Sequence, residues 1–194
     1  MTWLLLLAFA ADPIGRWRSE LTSKGGIGTM LEFREGGEVR VMTGANLLWS
    51  YSVDGQDLLM PAGPEGKAPV RQTIDLRQPG VLRLWQGTRM LSEWRRVGDW
   101  HPVGDTREGI LGEWLGRQEM NGHLLAPRMI FYEGGRMLYL MPFKTTRGTW
   151  RTSGDNIDIQ WPNGKRTLGL YRMTESTLTL PGIVNAERLL FQRY

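Results

Sequence analysis

The chain repeats itself. Ile14-Gly15-Arg16-Trp17 returns as Leu111-Gly112-Glu113-Trp114, and Phe33 followed by Gly36-Gly37 returns as Phe131 followed by Gly134-Gly135. Tyr51 with Gly55 and Leu58 returns as Trp150 with Gly154 and Ile157. Leu82-Arg83-Leu84 returns as Leu178-Thr179-Leu180, and Trp94-Arg95-Arg96 as Phe191-Gln192-Arg193. The offsets are 97, 98, 99, 96 and 97 residues, so one unit has been duplicated with small loop insertions. An internal repeat constrains architecture before any other signal is read. Each copy, of roughly 85 residues, is long enough to bury a core, though a small one.

The pattern inside each copy is that of strands. The 194 residues include 25 Gly and nine Trp, a pairing that suits short strands and tight turns better than helices. Copy one divides into candidate strands at 15–21, 28–34, 38–42, 47–53, 57–61, 71–76, 81–86 and 89–96. Copy two divides at 112–118, 127–132, 136–142, 146–152, 156–161, 166–173, 177–180 and 188–194. Turn chemistry separates many of these: Gly36-Gly37, Asp54-Gly55-Gln56, Pro79-Gly80, Gly87-Thr88, Gly134-Gly135, Ser153-Gly154-Asp155 and Asn163-Gly164. Apolar residues alternate with polar ones, as Ile157, Ile159 and Trp161 do with Asn156, Asp158 and Gln160. One dry and one wet face per strand implies antiparallel meanders. Closing each meander removes its exposed edges. The expectation is therefore an all-β protein of two tandem small eight-stranded up-and-down β-barrels. Residues 12–97 form the first barrel, 98–108 a linker and 109–194 the second, with no helix of useful length.

Each copy opens with Gly-x-Trp and closes with aromatic-x-Arg. First and last strands of a barrel are neighbours, so Trp17 is expected over Arg96 and Trp114 over Arg193, each pair closing one barrel end. This arrangement resembles the closed end of lipocalins and calycins. The set Gly-x-Trp, Phe-x-x-Gly-Gly, aromatic before Gly-x-x-Ile/Leu and terminal aromatic-x-Arg resembles short bacterial lipocalin-like domains of unknown function. It is carried by Trp17, Phe33, Gly37, Tyr51, Gly55, Leu58, Trp94 and Arg96, then by Trp114, Phe131, Gly135, Trp150, Gly154, Ile157, Phe191 and Arg193. The resemblance implies a small apolar ligand held in a barrel. The lipocalin disulfide and C-terminal helix have no counterpart in the sequence, and each copy is about half the length of a typical lipocalin.

The inward set of copy one reads Leu31, Phe33, Val39, Val41, Trp49, Tyr51, Leu58, Met60, Ile74, Leu76, Leu82, Leu84, Met90 and Trp94. Eight short strands leave an interior about wide enough for side chains or one small ligand. So many bulky groups favour a filled core, with a cavity or open-mouthed groove as the alternative. Candidate ligand contacts are Trp49, Tyr51, Tyr139, Trp150 and Trp161. Gly148, Thr152 and Gly169 make copy two the roomier one. Trp85, Trp100 and Trp161 are possible stacking platforms, with core or rim packing the plainer reading.

Net charge is +4, yet only Lys24, Lys67, Lys144 and Lys165 are lysine and no basic cluster appears. Nucleic acid is accordingly not an expected partner. Arg16, Arg18, Arg95 and Arg96 leave anionic-polymer binding as a lesser alternative. No cysteine is present, which removes disulfides, thiol catalysis and cysteine metal sites. His101 and His123 are the only imidazoles and have no metal-ligand spacing. No nucleophile elbow, phosphate loop or dinucleotide fingerprint occurs. Glu32, Asp75 and Asp158 are expected on wet strand faces. Catalytic, metal and cofactor sites are not expected. Residues 1–11 end in Ala8-Phe9-Ala10-Ala11 and read as a secretory signal without a basic start, or else as a buried first strand. The expected protein is an exported, non-enzymatic monomer without a transmembrane segment. It binds a small hydrophobic or amphipathic molecule or a partner protein. Filled barrels with a purely structural or interaction role are the alternative.

Overall fold

The computed structural model describes residues 12–23, 25–61, 69–99, 105–181 and 189–194. The expected signal segment, Trp100, His101 and most of the 62–70 loop lie outside them.

The described chain is all-β and antiparallel. Copy one supplies β1 (Gly15–Ser19), β2 (Ile27–Phe33), β3 (Glu38–Ser50), β4 (Ser52–Asp54), β5 (Asp57–Met60), β6 (Val70–Asp75), β7 (Val81–Gln86) and β8 (Arg89–Arg96). A short helix α1 (Thr106–Ile110) follows. Copy two supplies β9 (Gly112–Gly116), β10 (Gln118–Met120), β11 (His123–Leu125), β12 (Arg128–Tyr132), β13 (Arg136–Ser153) and β14 (Asn156–Gln160). It ends with β15 (Arg166–Leu170), β16 (Arg172–Met173), β17 (Thr177–Leu180) and β18 (Leu189–Arg193). The helix begins in the expected linker, 98–108, and runs two residues into the expected second barrel. Its N-cap Asp105 accepts the Arg107 N–H, and Glu108 stands in its first turn. This Asp-x-x-Glu spacing is a helix-start signal that the sequence carried.

Two elements depart from expectation in the same way. Residues 38–42 and 47–53 were separate strands in the sequence reading, but β3 runs unbroken from Glu38 to Ser50. Residues 136–142 and 146–152 likewise fuse into the 18-residue β13. The turn expected in each copy does not form. Thr43, Ala45, Lys144 and Thr145 offer no turn pair, and Gly44 is absent from the glycines at positive φ. Extended backbone simply continues.

This changes the domains. The chain forms two compact units, one containing the residues up to Gly44 together with Phe143–Tyr194, the other the continuous stretch Ala45–Pro142. The expected division into 12–97 and 109–194 is thus replaced by an exchange. The discontinuous unit takes the first strands of copy one and the later strands of copy two. The continuous unit takes the later strands of copy one and the first strands of copy two.

Each unit has its own core. In the discontinuous unit Trp17, Leu31, Phe33 and Val39 pack with Ile157, Ile159, Tyr171, Leu178, Leu180 and Phe191. In the continuous unit Tyr51, Leu58, Ile74, Leu82, Leu84 and Trp94 pack with Trp114, Met129, Phe131 and Met137. The inward set read from copy one is therefore shared between two cores. Two of its members are not core residues: Trp49 is 40% exposed and Met90 47%.

Closed barrels are not what the strand pairing forms. In the discontinuous unit β15 pairs with β14 and β16 with β17, the ladder being interrupted at Tyr171, whose N–H goes to Asp155 O (2.9 Å). In the continuous unit β4 pairs with β5, and Tyr51 separates it from β3. The Tyr51 N–H goes instead to Gly135 O at 2.7 Å. In each unit a tyrosine ends a ladder that the sequence reading had closed. β10 and β11 form a separate hairpin turned by Asn121 (φ 51°) and Gly122 (φ 75°), a two-residue turn with both residues in the left-handed region.

The exchange makes a direct prediction. A protease site introduced between Asp99 and Asp105 and cut in the folded protein leaves both halves in one particle on size exclusion, separating only in denaturant. Two independently eluting, folded halves would restore the sequential arrangement.

Candidate functional site

The Gly-x-Trp and terminal Arg residues meet, but with exchanged partners. The Arg193 guanidinium carbon lies 4.5 Å from the Trp17 ring centroid, and that of Arg96 lies 5.2 Å from the Trp114 ring. Trp17–Arg96 and Trp114–Arg193, the expected pairs, are not formed. The reason is strand pairing: β1 neighbours β18 with Trp17 opposite Arg193, and β8 neighbours β9 with Arg96 opposite Trp114. Each indole N–H donates to a carbonyl four residues earlier, Trp17 to Pro13 (2.8 Å) and Trp114 to Ile110 (2.7 Å). Arg193 donates to Ile14 O (3.3 Å) and Arg96 to Leu111 O. The glycine of the motif is required by conformation in both copies, Gly15 standing at φ +132°. Gly112 has φ +102°, and a Cβ there would sit 2.8 Å from Arg96.

Tyr51 and Trp150, two of the five candidate ligand residues, hold hairpins of the opposite copy. Trp150 N–H donates to Gly37 O (2.7 Å), its indole N–H to Glu38 O (3.0 Å), and its ring meets Phe33 edge-on at 5.5 Å. The Tyr51 hydroxyl donates to Tyr132 O (3.0 Å), and its ring meets Phe131 edge-on at 5.1 Å. Burial raises the Tyr51 phenol pKa, against a smaller opposing effect of Arg107. The recurrent Phe-x-x-Gly-Gly and aromatic thus form one interlock, made twice.

The other three candidates sit apart. Trp49 stacks on Tyr139 (5.9 Å, 12° between planes), and Tyr139 meets Trp94 edge-on at 6.3 Å. The Trp161 indole N–H donates to Thr167 Oγ1 (3.0 Å). The room foreseen around Gly148 and Gly169 is occupied. A Cβ at Gly148 would lie 2.6 Å from Gln160 O and 3.0 Å from the Trp161 ring, and one at Gly169 would lie 3.0 Å from Pro181.

An open pocket of about 700 Å³ lies elsewhere, in the continuous unit. Gln56, Thr73, Ile74, Asp75, Leu76, Arg77, Trp85, Gly87 and Thr106 line it. Local geometry explains it. β5 begins at Asp57, opposite Thr73, and Gln56 O takes the Ile74 N–H (2.7 Å). From Asp75 onward the chain passes beyond the end of β5. Ile74 and Leu76 contact the core and supply apolar wall, Trp85 stands across the ladder from Thr73, and Thr106 opens α1. None of the five candidates lines this pocket. Trp85, which the sequence offers only as a stacking platform, does line it. The signal for the remainder was the unequal length of β5 and β6, which turn positions alone did not disclose.

The acidic residues expected on wet faces are largely covered, and arginines cover them. Arg77 grips Asp75 through Nε (2.9 Å) and Nη2 (2.8 Å), and its backbone N–H adds a third bond at 3.0 Å. The Asp75 carboxyl is lowered to about 2, chiefly by the Arg77 side-chain bonds. Asp158, 6% exposed, accepts from Arg151 (2.9 Å) and from Arg166 (2.5 and 2.6 Å). Its pKa also falls to about 2, chiefly through Arg166. Glu32 lies within 4.0 Å of Arg16, Arg34 and Arg40. Many arginines are thus engaged by carboxylates of the same chain.

Among the described residues no three His, Asp or Glu side chains gather as metal ligands, and no helix is long and apolar enough to cross a membrane. Compared with family models, curated proteins and solved structures, the chain matches none.

Two outcomes follow from this geometry. A carboxyl whose folded pKa is depressed contributes stability that is present above its unfolded value, 3.8, and lost as pH falls through about 2. Asp158→Asn therefore lowers the melting temperature at pH 7, and the gap to the parent protein closes near pH 2. Gly135→Ala places a Cβ 2.6 Å from Tyr51 O at φ +76°, whereas Gly134 has φ +80° and nothing within 4 Å. In denaturant titrations Gly135→Ala costs more than Gly134→Ala, by about 1–3 kcal/mol.

Proposed function

We propose that this chain is a non-enzymatic binding protein whose open pocket in the continuous unit takes a small amphipathic molecule. The observation that carries this reading is the pocket itself. Its volume, about 700 Å³, falls in the range of small-molecule sites, and its wall combines Ile74, Leu76 and Trp85 with Gln56, Thr73, Asp75, Arg77 and Thr106. Three apolar side chains beside five polar ones suit an amphipathic molecule rather than a wholly apolar one. The Arg–Trp contacts at Trp17 and Trp114 support the lipocalin-like resemblance. The ligand position in this proposal nevertheless differs from that family's, because the residues that would line an interior are packed on one another. Export through residues 1–11 remains part of the proposal.

The packed cores favour one second reading, an interaction module that binds no small molecule. A polyanion-binding role draws less support, since Arg16, Arg34, Arg40, Arg151 and Arg166 already face carboxylates.

N-phenyl-1-naphthylamine, an uncharged probe that fluoresces when buried, tests the pocket. Saturable binding is expected, weakened about tenfold or more by Trp85→Ala through loss of the ring's contact area and unchanged by Trp49→Ala. No saturable binding would favour the interaction module. Loss in Trp49→Ala instead would move the site to the Trp49–Tyr139 stack.

A further inference from the structure

We infer that the pocket selects amphipathic anions, with Arg77 as the residue that takes the negative group and Trp85 as the surface for the apolar part. This rests on the ligand-binding reading of the same pocket.

Charge is distributed unevenly in the wall. Asp75 and Arg77 are its two ionised side chains. They do not present themselves equally to a ligand. Both Asp75 oxygens are engaged by Arg77 Nε and Nη2, and the Arg77 backbone N–H adds to one of them. The Asp75 side chain is 9% exposed and that of Arg77 is 89% exposed. A guanidinium has five N–H groups, and this pair of side-chain bonds uses two. No further Arg77 bond is formed among the described residues. The carboxylate is therefore the covered half of the pair, and the guanidinium offers its free N–H groups outward.

Asp75 also fixes where that positive group stands. A bidentate Arg–carboxylate pair holds the guanidinium in one plane, whereas an unpaired arginine of this exposure would sample many rotamers. The neighbouring charges are already matched. Arg83 is bonded to Glu93 (2.9 Å) and Gln78 (2.7 Å), and Asp57 to Arg71 and Thr73. No second unmatched carboxylate among the lining residues opposes an incoming anion.

Spacing sets the ligand's size. Trp85 lies opposite Thr73 in the ladder, four residues before Arg77. Four residues reach at most about 13–14 Å, and less here, because β6 ends at Asp75 and the Arg77 N–H folds back onto the Asp75 carboxyl. A ligand with a flat apolar body and an anionic group within about that distance reaches both. Carboxylates and sulfonates share the needed chemistry, two or three acceptor oxygens against a planar fork of donors.

A matched pair of probes separates this inference from the reading beneath it. 8-Anilino-1-naphthalenesulfonate carries the N-phenyl-naphthylamine body with an added sulfonate. On the full-length protein the sulfonate is expected to bind about tenfold more tightly than the uncharged probe at low salt, the order of one charge-assisted hydrogen bond. Because Arg77→Gln strips a covered carboxylate of its partner, the Asp75→Asn/Arg77→Gln double variant, which replaces both charged groups with neutral amides, is measured beside it. The double variant is expected to bind the two probes equally, and Arg77→Gln, which leaves the Asp75 charge facing the ligand, to bind the sulfonate less tightly than the uncharged probe. Equal binding of both probes by the parent protein, or an anion preference that survives in the double variant, overturns the role of Arg77 and leaves the pocket standing. Failure of both probes to bind overturns the pocket.

Discussion

An antiparallel strand returns beside its predecessor only if the residues between them can make the turn. Reversal in two or three residues is favoured by backbone at positive φ or a preset proline. Gly26, Gly36, Gly37, Gly55, Gly80, Gly87, Asn121, Gly122, Gly134, Gly135, Gly154 and Gly164 supply positive φ at most of the reversals among the described residues, though β16 turns into β17 without one. At 43–46 and 143–145 no such residue is used, and the chain does not reverse. β3 and β13 pass from one compact unit into the other. The partners of Trp17 and Trp114, the interlocks at Tyr51 and Trp150, and the composition of both cores all depend on that continuation.

Much of this was legible in the residues. Strand alternation, the turns and the closing Trp–Arg motifs were all readable, and nearly every expected strand has a counterpart within a few residues. What could not be read was which copy completes which. The motifs of the two copies are near-identical, so local chemistry is satisfied by either partner, and only the path of β3 and β13 decides. The absence of turn chemistry at 43–46 was visible, yet an expected eight-stranded meander filled it in. α1 was lost for a different reason. Five residues give no helical period, although Asp105 and Glu108 marked its start.

The candidate site was less legible. Large rings look functional in a sequence, yet Tyr51, Trp150, Trp49 and Trp161 bond or stack within the fold through Phe131, Phe33, Tyr139 and Thr167. Tyr139, the fifth, is the stacking partner of Trp49. The pocket arises where two strands differ in length, a property of pairing rather than of residue type. The arginines show the same limit. Their number leaves an anionic partner open only as a lesser reading in the sequence, and Asp158, Glu32 and Asp75 lie beneath several of them. A covered carboxylate needs a partner to remain charged, and arginine, with a planar fork of donors and weak hydration, suits that position better than lysine.

The crossed interlocks bear on how such a chain can change over generations. Phe33 touches Trp150, and Phe131 touches Tyr51, so each ring of one copy is fitted to a ring of the other. A duplicate freed from its twin can drift, but here a substitution in either copy alters a contact that its sibling must answer. The same geometry needs no covalent link between the copies: two separate single-copy chains exchanging their first strands would build both units. Joining them in one polypeptide turns a concentration-dependent pairing into an intramolecular one, and it lets the two halves of each pair become unlike, as tyrosine in one interlock and tryptophan in the other already are.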